Sequence, residues 1–242
     1  MIKFNEPLSK LINDPKKFTK HLKFPRPDKI RIYDDTLRDG EQMPGVIFSP
    51  EQKLRLAKFL SKMGVHTMDV AFPVNGETDQ KALQLCVAAQ KAGEIRKDIE
   101  ILAMCRSNPK DIDVVINTLA QIGAKPDDVS ILVLSTISDL HIKYKLGRTL
   151  LKREGRSEKD WMKLPLKFYR EANTALICEA IKYGRSKGIS RIEFASEDSS
   201  RGNIEYGVKW AKACIKAGGT RMCFSDTAAS LLLNRWIIIF RR

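Results

Sequence analysis

Between residues 29 and 224, short runs of β-branched and apolar residues alternate with longer stretches in which apolar positions recur at three- and four-residue spacing. The short runs, at 30–33, 67–72, 99–104, 129–134, 189–194 and 221–224, predict strands. The long stretches, at 50–63, 78–92, 110–122, 161–187 and 203–217, predict helices. Several helix ends are marked as well. Ser49-Pro50-Glu51-Gln52 places an N-cap serine before a proline at the first helical position, and Gly64, Gly93, Gly123, Gly188 and Gly218 follow the last periodic residues. Residues 1–27, rich in lysine and proline and without an apolar period, read as an N-terminal extension or a short capping helix.

Six strands alternating with five helices imply a parallel α/β sheet with helices outside it. That pattern suits a TIM (β/α)₈-type barrel or an open doubly wound sheet. The strand ends are more informative. Polar, reactive residues gather just after four of the strands, at 34–42, 135–141, 196–201 and 225–227. In a barrel these ends converge on one face, where groups from different strands meet. A doubly wound sheet commonly carries a Gly-rich first turn, and no G-x-G-x-x-G occurs here. The expectation is an incomplete barrel with about six of eight β/α units over 28–227, followed by a divergent apolar tail at 228–242.

Charge changes this picture little. The formal net charge of +14 would suit a polyanion, but Lys and Arg are spread along the chain with Asp and Glu between them. No long basic run alternates with aromatics, so no nucleic-acid partner is expected. The five cysteines are far apart, with no C-x-x-C pair, and read as small apolar residues of a reducing compartment. The N-terminus has no secretory pattern, and the one membrane-like stretch, 231–240, is too short to span and is interrupted by Asn234 and Arg235. A cytoplasmic protein without a membrane partner is expected.

The chemistry concentrates after the first strand. An Asp at a strand end can offer carboxylate oxygen to a divalent cation, and a neighbouring guanidinium can stabilise an enolate or alkoxide oxygen. As a bare dipeptide, Arg38-Asp39 reads first as a surface pair capping a loop. The string around it decides the matter: Asp34-Asp35-Thr36-Leu37-Arg38-Asp39-Gly40-Glu41-Gln42 resembles the signature of the DRE-TIM metallolyases, the family of isopropylmalate synthase, homocitrate synthase and hydroxymethylglutaryl-CoA lyase. The resemblance implies a catalytic role for Arg38, a metal-ligand role for Asp39 and a substrate-binding role for Gln42.

Other strand ends extend the resemblance. Met68-Asp69-Val70-Ala71-Phe72-Pro73 is similar to the family's second-strand segment, with Asp69 in place of the usual Glu. Ser138-Asp139-Leu140-His141 looks like the fourth-strand Ser-Asp-x-His loop, which places His141 at the substrate. The segment from Phe194 to Arg201 resembles the fifth-strand Phe-Ser-x-Glu-Asp-x-x-Arg, which matches Glu197 to the family's catalytic, substrate-site glutamate. Asp226-Thr227 matches the sixth-strand Asp-Thr, whose threonine reaches the substrate carboxylate. Without that setting, His141 reads as a plain loop histidine, and Glu197 and Asp198 as caps for the following helix. A barrel-interior Asp69 needs a partner, either Arg38 or the metal shell.

The resemblance implies a Claisen-type acyltransferase that condenses acetyl-CoA with a 2-oxo acid, using a divalent cation (Mg, Mn or Zn), with homodimers common in the family. A lyase cleaving a hydroxyacyl-CoA on the same platform is the alternative within enzymes. The chain departs from the family at one point with chemical weight: the seventh-strand His-x-His metal pair is missing, and its three histidines, His21, His66 and His141, all precede the fifth strand. A truncated, catalytically inactive remnant is therefore the third expectation.

Overall fold

The computed structural model describes residues 29–228. The expected extension at 1–27 and the tail beyond residue 228 lie outside them. The first helix, α1 (Pro50–Met63), forms as its end signals require. The Ser49 hydroxyl accepts from the Gln52 amide at 3.2 Å, and the Gln52 side chain accepts from the Ser49 amide at 2.7 Å. Gly64 closes the helix in the left-handed region at φ 89°.

The strands are β1 (Tyr33–Asp34), β2 (Thr67–Ala71), β3 (Glu100–Arg106), β4 (Ser130–Thr136), β5 (Ile192–Glu197) and β6 (Arg221–Phe224). They form one six-stranded parallel sheet in the order β1-β2-β3-β4-β5-β6. Between them run α2 (Glu77–Lys91), α3 (Pro109–Ala120), α4 (Gly147–Arg153), α5 (Leu166–Ser186) and α6 (Ile204–Ala217). Because spatial order follows chain order throughout, the sheet has no switch point and winds as a barrel does. It is an incomplete barrel of six strands, as expected. Among the described residues no helix is long and apolar enough to cross a membrane.

Two cores flank the sheet. Met68, Val70, Ile101, Ala103, Ile131, Val133, Ile192 and Phe194 belong to a large cluster shared with the helices. The intervening residues Leu102, Leu132 and Ala195, with Met104, Leu134 and Cys223 against them, form a second, smaller cluster on the concave face. This alternation is the period of two that places successive side chains on opposite faces. Close approach of α5 to the sheet requires Gly184, where a Cβ would come within 2.9 Å of the Ile192 Cδ1 and 3.2 Å of the Ile131 Cδ1. On the next layer Phe194 and Trp210 of α6 meet edge to face, with ring centroids 5.5 Å apart.

Some boundaries differ from the sequence pattern for identifiable reasons. The helix expected at 161–187 starts only at Leu166, because Pro165 precedes it and disfavours helical backbone in its predecessor. Trp161 instead folds back, donating from Nε1 to the Lys143 carbonyl at 2.6 Å. The fifth strand begins at Ile192 rather than at 189, and the Ser190 amide is instead bound by Asp127, whose Oδ1 accepts from it at 2.8 Å. The π-helical turn His141–Lys145 and α4 were not apparent in the pattern at all.

Two ionic devices hold the sheet and its loops. At the N-terminal end of the concave face, Arg221 of β6 donates to both carboxylate oxygens of Glu100 of β3, at 2.8 and 3.0 Å. It also bonds Glu193 of β5 and lies 5.9 Å from the centroid of the Tyr33 ring of β1. One arginine thus ties four strands across the curvature. Burial pushes the Glu193 carboxyl up, with Arg221 opposing it. Behind the sheet, Lys53 of α1 is fully buried and pairs with Glu41 at 2.6 Å and Asp79 of α2 at 2.7 Å. Glu41 in turn accepts from the Phe48 amide at 2.8 Å, which anchors the loop after β1.

Arg221→Leu strands two carboxylates on the concave face and is expected to lower unfolding free energy by about 1–3 kcal/mol in urea denaturation. Lys53→Met leaves two carboxylates unpaired around a dry position and is expected to cost about 3 kcal/mol. It should also speed hydrogen exchange at the Phe48 amide; unchanged exchange there would disconnect Lys53 from the loop.

Candidate active site

The loop after β1 is wound tightly by its own backbone. The Asp35 carbonyl accepts from the amides of Arg38, Asp39 and Gly40 at 3.2, 2.8 and 3.2 Å, and Asp39–Gln42 continues as a 3-10 turn. This winding turns Arg38 inward. Its Nε and Nη2 donate to Asp69 Oδ2 at 2.8 and 2.6 Å, Nη2 also donates to Asp35 Oδ1 at 3.0 Å, and Nη1 donates to Asp39 Oδ1 at 2.5 Å.

Asp69, in the middle of β2, is completely buried, so the partner it required is Arg38. Burial pushes the Asp69 carboxyl well above the ordinary carboxylate range, and the Arg38 charge and hydrogen bonds pull against that. For Arg38, burial opposes the charge, but Asp69, Asp35 and Asp39 outweigh it and hold the guanidinium more firmly protonated than usual. A guanidinium has five N–H groups. Four hydrogen bonds to described residues leave one, on Nη1.

A cavity of about 420 Å³ opens at the C-terminal ends of the strands, and Arg38, Asp39, Gln42, Glu197 and Thr227 all line it. These residues come from the ends of β1, β5 and β6, so the winding of the sheet brings together five of the six residues singled out in the sequence. Its floor is the concave-face cluster, including Leu132, Leu134 and Ala195. His141 is the sixth. It sits beside the cavity, with Nδ1 3.6 Å from Glu197 Oε2 and Nε2 3.6 Å from Asp198 Oδ2.

Glu197 is the last residue of β5, and its Oε2 accepts from Lys145 Nζ at 2.6 Å. It also lines a second cavity of about 650 Å³, bounded by Arg106, Ser135, Lys145 and Arg153 among others. Leu134 and Glu197 are common to both cavities. The fourth-strand loop is held from behind, since Asp139 accepts from Arg170 of α5 at 2.8 and 2.6 Å.

Two residues of this neighbourhood escaped the sequence reading. Lys145 stands four positions after His141, a spacing that puts both on one side of a helical turn, and that was its only signal. Asp198 was open to reading as a helix cap. It is not one for α6, whose N-cap is Asn203, accepting from the Tyr206 amide at 2.8 Å.

The resemblance carried by the sequence implies a divalent cation, so the donor set matters. Asp39 commits Oδ1 to Arg38, and among the described residues no group of three or more His, Cys, Asp or Glu side chains could hold a metal ion. His66 cannot contribute at the mouth. It lies just before β2, at the opposite end of the strands, where its Nδ1 accepts from the Ile32 amide at 2.9 Å. The described residues therefore do not by themselves fit a divalent cation, which needs several oxygen or nitrogen ligands.

Comparison with known proteins agrees with this architecture. A 2-isopropylmalate synthase, named as probable, from Ignicoccus hospitalis is 32% identical over 209 residues, covering 86% of this chain and 44% of its own length. A homocitrate synthase from Methanothermobacter thermautotrophicus is 29% identical over 214 residues, covering 88% of this chain and 46% of that one. The chain thus spans less than half the length of these relatives. Among solved structures, hydroxymethylglutaryl-CoA lyase from Pseudomonas aeruginosa superposes with a TM-score of 0.59 at 15% identity, over 89% of this chain and 63% of the other. That likeness is one of fold. The HMGL-like family model matches residues 29–238, and the chain belongs to the HMGL-like family.

Proposed function

We propose that this chain carries the condensing site of an acyltransferase that joins the acetyl group of acetyl-CoA to a 2-oxo acid, the type of reaction for which its synthase relatives are named. The observation that carries this reading is the single cavity in which Arg38, Asp39, Gln42, Glu197 and Thr227 meet. Gln42 and Thr227 offer amide and hydroxyl groups to the carboxylate and keto oxygens of a small oxo acid. The remaining Nη1 hydrogen of Arg38 faces the oxygen that becomes negative as the new carbon–carbon bond forms.

Glu197 stands where the two cavities share a wall, which suits a carboxylate that handles the proton of the acetyl methyl group. Loss of that proton makes a nucleophilic carbon. The carbon adds to the keto group, the resulting alkoxide takes up a proton, and water then cleaves the thioester to release the CoA thiol. Lys145 keeps Glu197 oriented during this sequence. No step is assigned to a metal ion, because the described donors do not make a site for one.

That same donor set favours a second reading, in which the chain keeps the fold and binds oxo acids without turning them over. A thiol-release assay separates the readings. The 242-residue chain is incubated with acetyl-CoA, a divalent cation and a panel of 2-oxo acids. The condensing reading expects release of CoA thiol that depends on one of the oxo acids and falls by about 100-fold or more in Arg38→Ala. Conversion of hydroxymethylglutaryl-CoA to acetyl-CoA, which leaves the thioester intact and is read by chromatography rather than by thiol release, would point to the lyase alternative, and turnover of none of these substrates would refute catalysis by this chain.

A further inference from the structure

Asp198 differs from every other described residue in one respect: it is the only non-glycine residue among them with positive φ, at 55°. Such backbone costs about 1 kcal/mol or more for an L-residue other than Asn or Asp, and it persists where its surroundings demand it. The surroundings here are three strand-end loops. The Asp198 amide donates to Thr227 Oγ1 at 3.1 Å, and the next amide, that of Ser199, donates to the Ser225 carbonyl at 2.9 Å, so the loops after β5 and β6 are joined. The Asp198 side chain, 1% exposed, accepts on Oδ1 from Arg201 Nε at 2.7 Å.

Its other oxygen has a different neighbour. Oδ2 is buried and makes no hydrogen bond among the described residues, yet it lies 3.6 Å from His141 Nε2 on the loop after β4. His141 Nδ1 is likewise buried without a hydrogen bond and faces Glu197 Oε2 at 3.6 Å. The imidazole is thus flanked by two carboxylates, one at the cavity wall and one behind it. Both contacts are slightly longer than hydrogen bonds, a distance at which apo sites commonly rest before tightening on substrate. Burial works to raise the Asp198 carboxyl, but the hydrogen bond from Arg201, the nearby Ser138 hydroxyl and the charges of His141 and Arg201 prevail and hold it below the ordinary range.

We propose that Asp198 is a positioning residue: its buried carboxylate takes up the Nε2 side of His141 and so presents Nδ1 to Glu197 and the cavity. A carboxylate behind an imidazole fixes both its ring orientation and which nitrogen carries the proton. The neutral ring then bears its hydrogen on Nε2 and offers Nδ1 as an acceptor at the cavity side, where Glu197 can donate to it once that carboxylate has taken up a proton. The value of this to catalysis rests on the condensing site proposed above, but the placement of the proton does not.

The test is nuclear magnetic resonance of the full chain labelled with ¹⁵N-histidine, above about pH 8, where an ordinary imidazole is neutral. Three histidines are present, and His141→Gln identifies the signals of His141. Asp198→Asn and Asp198→Gly both tolerate the left-handed backbone, so they remove the charge while leaving the kink. The ratio of Nε2–H to Nδ1–H tautomer at His141 is expected to fall by about fivefold in Asp198→Gly, the worth of one net hydrogen bond. It should fall at least as far in Asp198→Asn, whose amide can itself donate to Nε2. An unchanged ratio in both variants, or loss of the fold in both, overturns the assignment. No substrate is needed, so the result stands whether or not thiol release is found, and an unchanged ratio leaves the thiol-release assay to judge the function alone.

Discussion

Everything at the mouth of this half-barrel depends on one buried ion pair, Arg38 with Asp69. Asp69 has no exposure to water, and a carboxylate in that position is tolerable only with a cation within hydrogen-bonding distance. Arg38 supplies it through two bonds to a single oxygen. Reaching Asp69 commits the guanidinium to one orientation, and Asp35 and Asp39 then fall on its other edges. The loop after β1 is consequently held at two points, by Arg38 near its start and by the Glu41–Lys53 pair in its middle. The cavity inherits its shape from these constraints rather than from the loop's own propensity, since Met43 and Ile47 further along the loop are exposed.

The regular part of the fold was legible because its signals are local. The Ser49 capping box, Pro50 and Gly64 delimit α1 by hydrogen bonds within four residues and one backbone angle, and α1 has the bounds the sequence implies. Strand period and end chemistry likewise placed the six strands to within a few residues. The stretch from 142 to 160 was not legible, because its turn and α4 are held by distant groups: Trp161 on the Lys143 carbonyl and Arg153 on Glu179 of α5. Pro165 is visible in the sequence, but the apolar period runs straight through it, so the period alone does not mark the start of α5 at Leu166.

The site was legible where it depends on motif and obscure where it depends on conformation. Arg38, Asp39, Gln42, Glu197 and Thr227 could be named because the segments that carry them resemble the family's motifs, and the winding of the sheet gathers those segments at one mouth. That Arg38 would be shared among three carboxylates could not be read from spacing, because Asp69 comes from another strand, 31 positions on. Asp198 illustrates the same limit. Its charge and its place before a helix suited a cap, while its left-handed backbone and its approach to His141 exist only in three dimensions. The cation question has the reverse form: the absence of a His-x-His pair is plain in the sequence, and the geometry adds that Asp39 is already engaged.

A double-mutant cycle on Arg38→Met and Asp69→Leu, read by urea unfolding, tests the central claim that this pair organises the mouth. Arg38→Met leaves the buried Asp69 without its cation and Asp69→Leu leaves Arg38 with only Asp35 and Asp39, whereas the double removes both members of the pair, so the account predicts a coupling free energy of about 2 kcal/mol or more. A coupling below about 0.5 kcal/mol, the scatter expected for independent sites, would contradict it.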